Sequence, residues 1–198
     1  DCRPMKPRSA GFTLMELMVT LALAAVILSI GAPSFGEFRR NNRLTSVGNE
    51  FLGAVQTART EAIKRQTPVA VCPSADPTDA GATCTSGAFN GWIVFVDNDN
   101  DCERDAAEDV VRAGNTIDAS LTAASTGDCA SFGANGFLQN IAGKTTAGNT
   151  LFCDDRGTAV QAGTDQSAAR GVEVSATGRS RVTRVMDEVT AAPWPACS

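Results

Sequence analysis

The stretch GFTLMELMVTLALAAVILSIGAPSF, Gly11–Phe35, decides how this chain is built. From Phe12 to Ala32 it is apolar for the length of a bilayer span. Glu16 nevertheless lies inside it, and an unpaired carboxylate in hydrocarbon is costly enough to require a partner. A secretory signal has a short apolar run closed by small residues and is then discarded. Here the run is span-length, the small-residue junction precedes it, and Lys6 and Arg8 lie on its N-terminal side. The natural cut falls between Gly11 and Phe12, leaving a new amino terminus about one helical turn from Glu16. The plain alternative is a membrane anchor that happens to carry one glutamate.

Met5 followed by KPRSAG is itself a complete short leader, so residues 1–4 read as an upstream extension and Cys2 departs with the leader. The 7 cysteines then reduce to Cys72, Cys84, Cys102, Cys129, Cys153 and Cys197. An even set outside the cytoplasm reads as disulfides. There is no CxxC and His is 0, which removes most zinc sites and every histidine-based triad. No nucleophile–base motif remains to suggest an enzyme. Six cysteines allow many connectivities; loop economy favours Cys72 with Cys84, Cys102 with Cys129, and Cys153 with Cys197.

The 198 residues suit one small domain on a stem, and 18 Gly with no Tyr suggest a loop-rich β fold. Net charge is −5; losing Asp1, Arg3, Lys6 and Arg8 takes 17 basic and 22 acidic residues to 14 and 21, a net of −7. Such a domain repels nucleic acid in bulk, so any DNA binding requires a local basic patch.

Beyond Pro33, residues 34–66 read as an amphipathic continuation of the same helix. Leu44, Val47, Phe51, Val55, Ala58 and Ala62 recur at three- and four-residue steps, while Arg39, Arg40, Arg43, Glu50, Arg59 and Lys64 lie mostly elsewhere. The helix should stop before Pro68, which disfavours helix at Thr67. At ~1.5 Å per residue, Phe12 to Gln66 would reach about 80 Å. The head, residues 67–198, reads as short strands: Val69–Cys72, Gly91–Val96, Val110–Arg112, Thr116–Thr122, Thr150–Cys153, Gly171–Ser175 and Arg179–Met186. Ser74–Asn90 and most of Ala123–Asn149 read as loop. One antiparallel sheet is expected, with Trp92, Val94 and Val96 covering the helical stripe.

The N-terminal pattern resembles the class III prepilin signal of type IV pilins and type II secretion pseudopilins. Phe12 matches mature residue one, Glu16 residue five and Pro33 residue twenty-two, where such helices often carry a kinking proline. The run TARTEAIKRQTPVAVCPS, Thr57–Ser74, resembles the helix-to-strand passage of the FimT/FimU/GspH group of minor pilins and pseudopilins. The resemblance implies an α+β, type IV pilin-like fold, a long N-terminal α-helix packed against a C-terminal antiparallel β-sheet head. It implies residues 1–11 as a removed leader and 12–33 as the transmembrane and filament-core helix. A prepilin peptidase would cut after Gly11 and N-methylate Phe12. Glu16 would pair with the amino terminus of a neighbouring pilin. The chain would sit in the inner membrane by a single pass, its head periplasmic, before entering a pilus.

Two stretches could carry recognition. DNDNDCERDAAE, Asp97–Glu108, places Asp97, Asp99, Asp101, Asp105 and Glu108 at positions one, three, five, nine and twelve. That is calcium-loop spacing. Position six, however, is Cys102 where the sharp turn calls for glycine, and the flanks read as strands. A solvated acidic hairpin loop is the plain alternative, and a metal there would be structural. The second stretch is VEVSATGRSRVTRV, Val172–Val185. Strand alternation puts Arg179 and Arg181 on one face, roughly 7 Å apart, where each guanidinium could hold a phosphate oxygen. Arg184 adds a third cation at the strand end, though alternation turns it to the opposite face. The plain alternative is pairing with nearby acids. GRSR, Gly178–Arg181, resembles the GRxR motif of FimT-like minor pilins, which implies contact with the DNA backbone during uptake for natural transformation. A FimU-like structural subunit of the pilus priming complex and a GspH-like secretion pseudopilin are the competing readings.

Overall fold

The computed structural model describes residues 11–161, 163–190 and 194–197, excepting the side chains of 30–34 and 185–187. Residues 1–10 of the expected leader, with Cys2, Lys6 and Arg8, lie outside the described residues. Helix α1 spans Leu14–Arg65. It starts at an N-cap: the Glu16 backbone N–H donates to Thr13 Oγ1 at 3.2 Å, the bond a threonine at the N-cap makes to the third helical residue. It ends where Gln66 enters the left-handed region, φ 58, ahead of Pro68. Pro33 lies within the helical span; its side chain is outside the described set.

Residues up to Arg40 and residues from Asn41 onward form two compact units. In the first, Leu14, Met15, Leu17, Met18, Leu21 and Ile27 are each more than half exposed. Among the described residues no helix is long and apolar enough to cross a membrane.

The second unit holds the head. Its strands are β1 (Val69–Ser74), β2 (Gly87–Ala88), β3 (Gly91–Val96), β4 (Val110–Ala113), β5 (Thr122–Ser125), β6 (Ala130–Phe132), β7 (Gly148–Cys153), β8 (Gln166–Val174) and β9 (Ser180–Val185), followed by the short helix α2 (Met186–Thr190). They form two antiparallel sheets rather than the single one expected, in the orders β4-β3-β1-β6 and β2-β5-β7-β8-β9. Both cover the helix: Leu44, Phe51, Val55, Ala58 and Ala62 share a core with Val71, Trp92 and Val94 of one sheet and Phe152 and Val172 of the other. Phe51 is its hub, with ring centroids 5.3 Å from Trp92 and 5.8 Å from Phe152 in edge-on geometry. The alternate β3 residues Ile93 and Phe95 face a second buried cluster with Ala70, Cys72 and Cys102. β3 is therefore buried on both faces, which its unbroken apolar run GWIVFV requires.

The expected strand Thr116–Thr122 is a correction. Asp118 Oδ1 accepts from both the backbone N–H and the hydroxyl of Ser120, an Asx turn that competes with strand pairing, and Arg43 binds Asp118 and Ser120 from the helix. β5 instead begins at Thr122 and pairs with β7. β2, β5 and β6 lie in stretches read as loop. Their small residues carry little strand preference, and backbone pairing with longer partners orders them. Met186 opens α2 rather than closing the last strand.

Three disulfides join Cys72 with Cys84, Cys102 with Cys129, and Cys153 with Cys197. The last ties the chain end to β7, where Leu151, Ala169, Val189 and Trp194 form a third cluster.

Candidate nucleic-acid interface and acidic turn

The β8–β9 hairpin carries the GRSR motif on its turn. Ser175 and Arg179 close that turn through backbone N–H to carbonyl pairing at 2.9 Å, and the Gly178 N–H donates to the Ser175 carbonyl at 2.8 Å. Gly178 adopts φ +76, and a Cβ there would stand 2.9 Å from the Phe132 ring. Glycine is required on both counts. Arg179, one residue on, is exposed and precedes the strand. Arg181 lies within β9, opposite Glu173 on β8. Both line one open groove of about 520 Å³ together with Glu173, Ser175 and Thr177.

The two arginines differ in what already holds them. Arg181 Nε donates to Glu173 at 2.6 Å, and Nη1 donates to both oxygens of Glu188 at 3.2 Å. Glu173 first, then Glu188, raises the Arg181 pKa further above its usual range. Glu188 also accepts from the Thr183 hydroxyl, the main cause of its carboxyl falling below the usual range, with Arg181 second. Arg181 thus meets the plain expectation for a basic strand in an acidic domain. The Arg179 carbonyl accepts from Ser175, but among the described residues its guanidinium has no ion-pair or hydrogen-bond partner. Arg184 lies on the opposite strand face, where its charge is felt by Arg170.

Two other cations belong to the architecture. Arg170 is 3 % exposed. Its guanidinium donates to the carbonyls of Ala168 and Ala169 at 2.9 and 3.0 Å and reaches Thr45 on α1. Burial, more than the nearby Arg184 and Arg156, lowers its pKa. Lys144 is held at 2.6 Å by Glu103, which raises its pKa.

The acidic turn keeps part of the calcium geometry. Asp97, Asp99 and Glu108 bring one oxygen each within 4.8 Å of one another; Asp101 and Asp105 are not in that group. Internal donors occupy both oxygens of Asp97 and both of Glu108. Asp97 accepts from the Asp101 N–H and the Ser131 hydroxyl, both at 3.0 Å, and Glu108 accepts from the N–H groups of Asn98 and Asp105. Cys102 does adopt the left-handed conformation that position six demands, φ 65. Asp97 is fully buried. That burial chiefly raises its pKa; the hydrogen bonds from Ser131 and Asp101 pull the other way, and the nearby Glu108 charge adds to the rise.

The sequence reading did not foresee the Thr13 cap on Glu16, the structural place of Arg170, or the carboxylates on Arg181. Thr13-x-x-Glu16 is a legible capping signal; the others depend on strand register.

A long N-terminal helix whose second half is wrapped by antiparallel sheets, with a methylation-type N-terminus, defines a minor pilin or pseudopilin, the class of subunit found in type IV pili and type II secretion systems. The family profile described as type II transport protein GspH matches residues 47–178, and the chain belongs to that family. The prokaryotic N-terminal methylation motif matches residues 6–32. In fold the chain is similar to the type IV minor pilin FimU of Pseudomonas aeruginosa, at 21% identity, covering 75% of this chain and 93% of that one with a TM-score of 0.51. The minor pseudopilin EpsH of the Vibrio cholerae type 2 secretion system matches at 9% identity over 72% of this chain and 97% of its own, TM-score 0.45. No curated protein matches the chain in sequence. The family match ends at Gly178, so Arg179, Arg181 and Arg184 lie beyond it.

Proposed function

We propose that this chain is a type IV minor pilin that captures DNA by its phosphate backbone for natural transformation. One observation carries the reading: Arg179, exposed on a rigid glycine turn, shares an open groove with Arg181. Such contacts carry no sequence information, and they are not catalytic. The subunit reaches its place by prepilin peptidase cleavage after Gly11, methylation of Phe12, residence in the inner membrane through residues 12–33 with the head in the periplasm, and Glu16-guided packing against other pilins. The exposed apolar side chains of residues 12–28 support that route, since an uncovered stripe of that size calls for lipid or neighbouring helices. No cofactor is required; Asp97–Glu108 is read as a self-capped turn whose carboxylates serve backbone donors.

The test is binding of unrelated duplexes by the detergent-solubilised full chain. Affinities should be about equal across sequences and fall with salt at a log–log slope of roughly −2. Arg179→Gln with Arg181→Gln should abolish binding and lower transformation while twitching motility persists. A second reading rests on a different observation, the grip of Glu173 and Glu188 on Arg181. There Arg181 is a strut in a structural pilin or secretion pseudopilin, wild type binds no DNA, and Arg181→Gln lowers thermal stability and filament incorporation instead.

A further inference from the structure

Next to the hairpin turn lies a second turn that the DNA reading does not use. β6 bridges back from Phe132 to Leu138. The intervening residues are pinned by backbone bonds from Gly133 to Phe137 at 3.0 Å and from Gly136 to Gly133 at 2.8 Å, with the Phe137 N–H on Asn135 Oδ1 at 3.0 Å. Phe137 is nevertheless 57% exposed. A large aromatic held on a fixed backbone and offered to solvent has little packing reason to be there.

Two arginines flank this turn. Gly136, at φ +74, sits over α1 so closely that a Cβ would stand 2.7 Å from Ile63 and 3.5 Å from Arg59 Nε. On the other side, a Cβ on Gly178 would stand 3.4 Å from the Leu138 nitrogen, so Arg179 follows directly on that contact. Gln56, one helical turn before Arg59, donates to Ser180 at 2.6 Å and joins the helix to the same hairpin. Among the described residues neither Arg59 nor Arg179 has an acidic partner, whereas Lys64 and Arg65 on the same helix are both paired with Glu61.

We propose that Phe137, between Arg59 and Arg179, is a stacking platform for a base of single-stranded DNA, with the two guanidiniums on the flanking phosphates. The inference rests on the DNA reading above and adds to its backbone contacts a preference for strands with accessible base faces. Base–aromatic stacking with a basic track is how single strands are held without sequence preference, and a duplex hides its base faces from Phe137.

The experiment is fluorescence anisotropy with the full chain in detergent, using a labelled oligothymidine and an abasic oligomer of equal length that keeps the phosphates and lacks the bases. Wild type should bind oligothymidine roughly 5- to 150-fold more tightly than the abasic strand, the contribution of one stacked base. Phe137→Ala should erase that gap at unchanged melting temperature, and Phe137→Trp should restore it. Arg59→Gln should weaken both strands and reduce the salt slope by about 0.7, one phosphate on a single strand. Wild-type binding to duplex or abasic strand with no base-dependent gap, or a gap that survives Phe137→Ala, overturns this inference and leaves the DNA reading standing. Absence of binding to any DNA overturns both. Loss of filament incorporation by Phe137→Ala with DNA binding intact assigns the turn to a neighbouring pilin and overturns the inference too.

Discussion

The two halves of helix α1 obey one backbone geometry and opposite burial rules. Between Leu14 and Leu28 its large apolar side chains are exposed; between Leu44 and Ala62 an apolar stripe that includes Phe51 is sealed beneath two sheets. The first half is apolar nearly all round, with Glu16 near its capped start, a composition suited to being covered by other molecules. The second half concentrates its apolar residues on one stripe and places Arg43, Glu50 and Arg59 off it, which suits cover by its own chain. A helix thus records in its periodicity whether its partner is intramolecular.

The largest test of this contrast is reduction. All three bridges lie in the second unit, closing separations of 12, 27 and 44 residues, for which loop-closure entropy suggests roughly 3, 3.5 and 4 kcal/mol. Full reduction should therefore abolish cooperative melting of the head while α1 residues before Asn41 keep their helical signal in detergent. Unchanged melting after verified reduction would remove the cysteines from the stability of the head.

Next comes Phe51→Ala, which empties the aromatic hub and should cost about 3–5 kcal/mol, against no measurable change in head melting for Leu21→Ala. Glu16→Ala belongs with Leu21: head stability should hold while incorporation into filaments, assayed by immunoblot of sheared pili, is lost. If Glu16→Ala assembles normally, the Glu16 carboxylate is not needed for packing against other pilins.

Smaller effects are expected from titration. Glu61, Asp118 and Glu188 have carboxyls held below the usual range, chiefly by hydrogen bonds from Arg65, Ser120 and Thr183 respectively. A lowered folded pKa gives stability that is present above the unfolded value and lost as pH falls through the folded one. Head stability should therefore decline with acid below about pH 4.5, and Glu188→Gln should flatten that decline while loosening Arg181. Asp97 has the opposite sign. Its raised pKa means a contribution present below the unfolded value and lost as pH rises through the folded one, so Asp97→Asn should raise the melting temperature slightly at neutral pH. Millimolar calcium should leave wild-type melting unchanged. A rise that Asp97→Asn removes would instead make Asp97, Asp99 and Glu108 ligands.

Strand legibility followed side-chain chemistry. GWIVFV is apolar and β-branched, and β3 runs Gly91–Val96 as expected. TAAS and ASF have no pattern of their own, and IDASL supplied apolar residues to a turn that Asp118 closes. At the candidate site, alternation treated Arg181 as a residue of the last strand, and it does lie within β9 opposite Glu173. It did not bring Glu188 into view, because that carboxylate arrives on a separate element, α2.

By itself the sequence determined the N-terminal signal, the helix, its buried stripe and its end before Pro68, since each follows from residues adjacent or three to four apart on one chain segment. It also paired the cysteines through the shortest loops. Only the tertiary structure decided that two sheets wrap the helix, and that Arg170 is structural while Arg179 is exposed. The tertiary structure alone also joined the turn at Phe137, Arg59 on the helix and the GRSR hairpin. Those relations hang on register between strands far apart in sequence, where a shift of one residue reverses which face a side chain takes.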